Sequence, residues 1–350
     1  MALSPRAKRR LIALALALVL SPLLVLLLGE SYVRLRHPAY ADLWGAIRSH
    51  PVWVRELRPG ASGRMRALTR EYDHGYAINA QGLREAADLG PKDPAKLRVL
   101  AVGDSNTFGL GVEDEEVWVQ ALDDARTEAL NAGWASGYAP DTACLFLEGR
   151  LDELQPDLVI QQLTPDNDLE DLAWRSQWQL DEAGALVAIK HRYDAIPDAI
   201  QALAFPRFLT LQVLPAWRGP PPTEQASDEP VALSAQEELG LERLRTVLTR
   251  TQGTLAGRGV KLVLLVFPSP RVDPETHTDA RVRALAQLRR ERILALLAEL
   301  GLEVWDPTDG PELAAAAGPT FYGDGHMTAA GNAAIGAYAK RRLSAWREAR

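Results

Sequence analysis

The fold of this chain is decided by the stretch Leu97-Arg98-Val99-Leu100-Ala101-Val102-Gly103-Asp104-Ser105. It begins as a short, mostly apolar run and ends at a glycine, which is typical of a strand buried on both faces of a parallel sheet. Further runs of this kind follow at residues 129–131, 158–163, 262–267 and 302–305.

Helical patterns lie between these runs. Apolar residues recur three or four positions apart in residues 115–129, 142–154, 235–255, 279–300 and 328–346, which places them on one face of a helix. The alternation predicts an α/β fold, with a parallel sheet of about five strands and helices on both faces. Sites in such sheets lie at the carboxyl ends of the strands, so the loops after the runs are the candidates.

The N-terminus carries a targeting signal. Arg6, Lys8, Arg9 and Arg10 precede an apolar run at residues 11–28, which at about 1.5 Å per residue is long enough to cross the hydrocarbon core. A cleaved signal peptide is the alternative, but its apolar region usually has about 7 to 15 residues and ends at a small-x-small site. Positive charge before the run predicts that the N-terminus stays cytoplasmic and that the rest of the chain lies across the membrane.

The domain organisation follows from these patterns. Residues 1–30 are predicted to be the cytoplasmic N-terminus and anchor, residues 31–95 a membrane-proximal lead-in of short strands and turns, and residues 96–350 the main domain. An insertion at about residues 174–232 interrupts the alternation of strands and helices. It contains a predicted hairpin at residues 177–180 and 185–189 and a short helical piece near residues 196–214.

The composition excludes several classes of function. The formal net charge is -7 and no basic cluster follows the N-terminus, which argues against nucleic acid as a partner. Cys144 is the single cysteine, so the chain has no internal disulfide and no thiolate metal site. Its apolar neighbours predict a small buried residue on a helix rather than a reactive thiol. We expect neither a cofactor nor a metal.

Ser105 is the candidate nucleophile. It lies in a glycine-rich turn after the first strand, where free backbone N–H groups and a helix N-terminus favour developing negative charge. The same kind of turn also binds phosphate in nucleotide and flavin binders, so this motif leaves both possibilities open.

His326 is the candidate base. It follows the last strand in Asp324-Gly325-His326, and a serine hydroxyl becomes a good nucleophile when an imidazole oriented by an acid takes its proton. The alternative is a solvated loop histidine with Asp324 serving a turn.

Gly137 and Asn167 are the candidate oxyanion donors, together with the Ser105 N–H. They lie in loops after the second and third strands, where a glycine lets the backbone approach a substrate and an asparagine amide donates hydrogen bonds. The alternative for Asn167 is helix capping.

Taken together, these motifs resemble the SGNH (GDSL-type) hydrolase superfamily from about Lys96 to the last helix. Its blocks match Gly103-Asp104-Ser105, Gly137, Asn167-Asp168 and the region of Asp324 and His326. The resemblance implies a three-layer α/β/α, flavodoxin-like fold. Position 323 is glycine, so the acid lies two residues before His326 rather than three, as in alginate O-acetylation proteins and related membrane-anchored members. The segment Asn79-Ala80-Gln81-Gly82-Leu83-Arg84 also resembles anchored bacterial members.

Three functions are compatible with these observations. The leading one is a serine esterase that acts on acyl esters. The second is an acyltransferase that passes the acyl group to a cell-envelope glycan, for which a membrane partner would export acyl groups. The third is a non-catalytic anchored module that binds glycan or a partner protein.

Overall fold

The computed structural model describes residues 4–136, 138–175, 178–180, 186–188, 197–215, 230–273 and 277–348. Two compact units are present. One consists of Met1–Asp42 and Pro197–Ser227, and the other of Leu43–Ile196 and Asp228–Arg350.

The strands lie in the larger unit. They are β1 (Ile47–His50), β2 (Val54–Leu57), β3 (Ser62–Arg66), β4 (Asp73–Ala77), β5 (Leu97–Gly103), β6 (Thr127–Gly133), β7 (Leu158–Leu163), β8 (Trp178–Leu180), β9 (Leu186–Ala188), β10 (Lys261–Val266) and β11 (Glu303–Trp305).

The helices occur in both units. They are α1 (Pro5–Arg36), α2 (Ala39–Ala46), α3 (Ser105–Phe108), α4 (Pro140–Leu154), α5 (Asp168–Glu170), α6 (Asp198–Gln201), α7 (Ala204–Phe208), α8 (Ala235–Ala256), α9 (Ala280–Glu299) and α10 (Ala329–Glu348). Short 3₁₀ turns lie at Asp114–Glu116, Gln120–Leu122, Pro270–Val272 and Pro307–Asp309, and π-helical turns at Asp171–Arg175 and Leu209–Val213.

Within the described residues, the central sheet has five parallel strands in the order β11-β10-β7-β5-β6. Strand β5 is paired with β6 on one side and β7 on the other, so the strand order reverses at β5. This is the doubly wound, flavodoxin-like arrangement, and the prediction is confirmed. The crevice beyond β5 is the position where such sheets bind their ligands, and it is where Ser105 lies.

Apolar layers cover both faces of this sheet, because successive side chains of a strand point to opposite faces. Buried residues of β5 and β10 pack on one face against α4, α8 and α9, with Leu100, Val102, Leu147, Leu244, Leu264 and Ile293 among them. The opposite face packs against α10 and the connection between α3 and β6 that contains two 3₁₀ turns. Its buried residues include Val99, Ala101, Trp118, Leu265 and Ile335. Three layers result, as predicted.

The predicted helix at residues 115–129 is wrong. This segment forms two 3₁₀ turns and then enters β6 at Thr127. Val117, Trp118 and Leu122 are buried against the sheet. Their apolar spacing therefore reflects packing of a turn-rich connection, and Thr127, Glu128 and Ala129 at the end of the predicted helix pair with β5 instead. The other predicted helices of the main domain and the predicted hairpin in the insertion are confirmed with small shifts at their ends.

The lead-in contains two antiparallel hairpins. Strand β1 pairs with β2, and β3 pairs with β4. The β3–β4 turn is tight: Ala67 N donates to Tyr72 O at 3.0 Å, and Arg70 has a φ of 68°. This turn carries the side chains of Glu71 and Tyr72 at its end.

The smaller unit is built on α1. This helix is long and apolar enough to cross a membrane, as an anchor or a signal sequence would be. Near its end, Glu30 accepts hydrogen bonds from the N–H groups of Ala204 and Phe205 at 3.0 and 2.8 Å. Arg34 donates to the carbonyl of Ala202 at 3.0 Å. Part of the insertion therefore packs on the C-terminal end of the apolar helix.

Candidate active site

Ser105 is the first residue of α3, directly after β5. The carboxylate of Asp104 caps this helix by accepting a hydrogen bond from Asn106 N at 2.8 Å. The Ser105 N–H donates to no other residue in the described part of the chain, so it is available to a ligand. Such unpaired groups at a helix start attract negative charge.

Two glycines allow the chain to turn and pack here. A side chain on Gly133, at the end of β6, would place its Cβ 2.1 Å from Phe108 N. Strand β6 and helix α3 are therefore too close together for any residue other than glycine at position 133. Gly109 ends α3 in the left-handed region, with a φ of 89°. Both positions need glycine for steric reasons.

The structure brings His326 to Ser105. Its Nε2 lies 2.9 Å from Ser105 Oγ, which is hydrogen-bonding distance. His326 follows the last strand, and both side chains are partly exposed, so a substrate has access to them. With the hydroxyl as donor and neutral Nε2 as acceptor, this pair is arranged for proton transfer from serine to histidine.

Asp324 lies beside the other ring nitrogen of the same histidine. Its Oδ2 is 3.0 Å from His326 Nδ1, but it lies off the line of the ring N–H, so the contact is an electrostatic one rather than a linear hydrogen bond. Its Oδ1 accepts the backbone N–H of His326 at 3.1 Å. The two-residue spacing explains this off-line geometry. Because Asp324 bonds the backbone N–H of His326 and closes a turn there, its carboxylate cannot also face the ring N–H of the same residue directly.

The charge on Asp324 is stabilised locally. Burial opposes its ionisation, but hydrogen bonds and the charge interaction with His326, together with a hydrogen bond from Tyr72, outweigh burial and lower the pKa of the carboxyl. Asp324 is therefore ionised at neutral pH and available to stabilise an imidazolium.

Two residues of the lead-in contact this loop, and sequence reasoning missed them. Tyr72 Oη donates to Asp324 Oδ2 at 3.0 Å, and Gly323 N donates to Glu71 Oε1 at 2.8 Å. Burial raises the pKa of the Tyr72 hydroxyl, and the nearby Asp324 charge adds to this effect, so Tyr72 remains a donor. No motif marks these residues, because they lie in a short turn far away in sequence.

Gln162 supports the turn from below and was also missed. Its Oε1 accepts from Asp104 N and from Thr107 Oγ1, both at 3.0 Å. Thr164 donates to Asp104 Oδ2 at 2.6 Å. The signal was present in the sequence, since Gln161-Gln162 is a polar pair in an otherwise apolar, fully buried strand, and buried polar groups require partners.

Arg84 fixes the far side of the nucleophile turn. Its side chain is buried, bonds Asp114 Oδ1 at 2.7 Å and reaches the carbonyls of Phe108, Gly109, Val112 and Gly75. The sequence Asn79-Ala80-Gln81-Gly82-Leu83-Arg84 therefore has a structural role: its arginine satisfies the carbonyl groups that follow α3.

The predicted oxyanion donors have different outcomes. Gly137 lies outside the described residues. Asn167 follows β7, as predicted, and its Nδ2 donates to Asp171 Oδ2 at 2.9 Å. Its Oδ1 is buried without a partner among the described residues, and its side chain does not cap α5. One amide hydrogen of Asn167 is thus committed to Asp171.

Within the described ranges, no cluster of three or more His, Cys, Asp or Glu side chains is placed to hold a metal ion. The Ser105 hydroxyl, the His326 imidazole and the Asp324 carboxylate form a connected chain at the carboxyl edge of the sheet. Such a chain is suited to attack on a carbonyl carbon.

No protein-family model matches the chain, and no curated protein matches its sequence. The solved structures with a similar fold include GDSL-type lipolytic proteins. A member of the lipolytic G-D-S-L family from Veillonella parvula has 14% identity and a TM-score of 0.41, covering 71% of this chain and 98% of its own. A GDSL-like lipase from Bacteroides thetaiotaomicron has 14% identity and a TM-score of 0.39, over 73% and 92%. The native aryl esterase of M. smegmatis has 15% identity and a TM-score of 0.38, over 71% and 99%.

Proposed function

We propose that this chain is a serine-dependent esterase of the SGNH type that acts on acyl esters. The observation that carries the proposal is the 2.9 Å contact between His326 Nε2 and Ser105 Oγ. It is supported by the Asp324 carboxylate at 3.0 Å from the opposite ring nitrogen.

The reaction begins with attack of Ser105 Oγ on the ester carbonyl carbon while His326 Nε2 takes the hydroxyl proton. The tetrahedral intermediate collapses, the alcohol leaves with the proton from His326, and the acyl group remains on Ser105. Water then attacks the acyl-enzyme, His326 takes a proton from that water, and the acid is released as the proton returns to Ser105. Asp324 stabilises the imidazolium in both steps.

The developing oxyanion needs donors that are already in place. We assign this role to the N–H of Ser105, the N–H of Gly137 and the side-chain amide of Asn167. The free Ser105 N–H supports the first assignment. The second hydrogen of the Asn167 amide would serve as donor while the first remains bonded to Asp171.

A fluorophosphonate probe tests the proposal without knowledge of the substrate. We expect the full-length protein in detergent to be labelled covalently, and Ser105→Ala to abolish both labelling and hydrolysis of a short acyl ester. Ser269→Ala is the matched control, because Ser269 Oγ bonds Asp166 instead of a histidine. Absence of labelling in the folded parent protein would favour the non-catalytic module that binds glycan or a partner.

A second candidate is transfer of the acyl group to a glycan hydroxyl in place of water. The Asp324-Gly325-His326 spacing favours it, since this arrangement resembles that of alginate O-acetylation proteins. An acylated cell-envelope glycan would then be the product, and a membrane acyl-export protein the partner. Analysis of products with and without added glycan distinguishes the two, because transfer predicts acylated glycan with little free acid.

We also propose the placement of the chain. Residues 1–30 would anchor it in the bacterial inner membrane, and the lead-in of residues 31–95 and the domain of residues 96–350, with the insertion at about residues 174–232, would lie in the periplasm. The apolar helix α1 and the basic residues before its apolar run support this topology. Protease added to spheroplasts should degrade the main domain while an N-terminal epitope tag stays protected.

A further inference from the structure

The lead-in hairpin contacts the loop that carries His326. The two contacts come from consecutive residues of the β3–β4 turn: Glu71 accepts the N–H of Gly323 at 2.8 Å, and Tyr72 donates to Asp324 Oδ2 at 3.0 Å. The ring of Tyr72 also stands edge-on to the ring of His326, with centroids 6.2 Å apart and planes at 86°. A segment outside the predicted main domain therefore borders the site.

Asp324 depends on such an external contact because of its position. One of its oxygens is bonded to the backbone N–H of His326 and closes the local turn. The other oxygen faces the imidazole, but the ring N–H does not point directly at it. A carboxylate held at one oxygen by its own loop needs a second fixed donor to hold the other oxygen beside Nδ1.

We propose that Tyr72 is a positioning residue of the active site. Its hydroxyl holds Asp324 Oδ2 beside His326 Nδ1, and its hydrogen bond weakens the electrostatic effect of the Asp324 carboxylate on the imidazole of His326. The inference rests on the proposed function, since it concerns the same triad. Tyr72 acts through Asp324, and the lead-in thereby completes the catalytic arrangement of the main domain.

The proposal predicts a pH effect with a definite sign. Removing the hydroxyl takes away the hydrogen bond that competes with the imidazole for Asp324 Oδ2. The carboxylate then stabilises the protonated imidazole of His326 more strongly, which raises the pKa of this histidine. The acid limb of the rate profile, which reports protonation of the base, then moves to higher pH. The titratable groups around this loop are Glu71, Tyr72, His74, Glu116, Tyr322 and Asp324.

The test is Tyr72→Phe in the full-length protein, which keeps the aromatic ring and removes the hydroxyl. We expect kcat for a short acyl ester to fall roughly tenfold, the scale of a lost hydrogen bond to a charged group, with KM nearly unchanged because the proposed action of Tyr72 is through Asp324 rather than on substrate. The acid limb of the kcat/KM profile should move upward, and fluorophosphonate labelling of Ser105 should slow in parallel.

Tyr322→Phe is the matched control. It removes a hydroxyl from the neighbouring ring, 5.2 Å from that of Tyr72, but this hydroxyl bonds the carbonyl of Gly111. Its acid limb is expected to stay at the parental pH. Glu71→Ala, which removes the acceptor for Gly323 N and a negative charge near the loop, should lower the rate without moving the acid limb upward.

An unchanged kcat and an unchanged acid limb in Tyr72→Phe would overturn the inference, as would equal pH shifts in Tyr72→Phe and Tyr322→Phe. A melting temperature equal to that of the parent shows that the variant is folded. If the parent itself is not labelled at Ser105, the proposed function has failed; if it is labelled and Tyr72→Phe behaves like it, the inference alone has failed.

Discussion

His326 Nε2 lies 2.9 Å from Ser105 Oγ although 221 positions separate the two residues in the chain. The parallel sheet makes this possible, since the loops after β5 and β11 both lie at the carboxyl edge of its strands. The proposed esterase chemistry depends on this pair and on Asp324, which lies beside the opposite ring nitrogen of His326.

Replacing the base should remove most of the activity. His326→Gln is expected to lower kcat/KM for an acyl ester roughly 10²- to 10⁴-fold, the usual contribution of a general base. His277→Gln, in another loop, serves as control and should retain parental rates. Steady-state kinetics measures both, and activity of His326→Gln close to that of the parent would remove histidine from the mechanism.

Asp324→Asn should cost less than loss of the base. The amide oxygen still accepts the His326 N–H, but the charge that stabilises the imidazolium is lost. Because Oδ2 lies off the line of the ring N–H, we expect a fall in kcat of roughly tenfold to hundredfold. A loss as large as that of His326→Gln, measured in the same assay, would contradict this geometry.

Arg84→Met should destabilise the fold rather than alter chemistry alone. The variant leaves Asp114 and several backbone carbonyls around α3 without the donor that they share. We expect the free energy of unfolding to fall by about 3 to 5 kcal/mol, measured by chemical denaturation in detergent micelles. Arg64→Met is the control, because that arginine and its partner Asp73 are exposed, and a loss of stability equal to that of Arg84→Met would exclude the proposed role.

Glu85 should make stability depend on pH. Burial raises the pKa of its carboxyl to about 7, although hydrogen bonds from Asn131 N and Gln120 oppose the shift. The folded state thus retains a proton that the unfolded chain releases near its ordinary pKa of about 4.5. Stability is therefore fully present below that value and is lost as pH rises through about 7.

Glu85→Gln tests this linkage, since glutamine is uncharged at every pH. The variant should have the same melting temperature as the parent at pH 4.5 and a higher one at pH 8. The difference at pH 8 should correspond to a free energy of unfolding of the order of 2 to 3 kcal/mol. Parallel pH profiles of the two proteins would show that Glu85 is not the titrating group.

The sequence was sufficient for the sheet and for the three residues at its edge. Buried parallel strands are continuous apolar runs, so β5, β7 and β10 are visible in the sequence, and sheet topology then places Ser105 near His326. The helix predicted at residues 115–129 was wrong because Val117, Trp118 and Leu122 have helical spacing in the sequence but are buried in and beside two short 3₁₀ turns.

Contacts made by turns were not predictable in the same way. Tyr72 reaches Asp324 across 252 positions, and nothing in its neighbouring residues indicates that partner. The role of Gln162 could have been predicted more easily, because an amide side chain in a buried strand requires a hydrogen-bonding partner. Asn167 shows the limit of motif matching, since its position after β7 was predicted but its bond to Asp171 depends on the local turn.

The contacts of the β3–β4 turn also bear on when the protein becomes active. Tyr72 and Ser105 lie early in the chain and His326 lies near its end, so a nascent polypeptide that stops before residue 326 has the serine without the histidine. On the proposed function, ester hydrolysis should consequently begin only after the loop of His326 and α10 have been synthesised and folded.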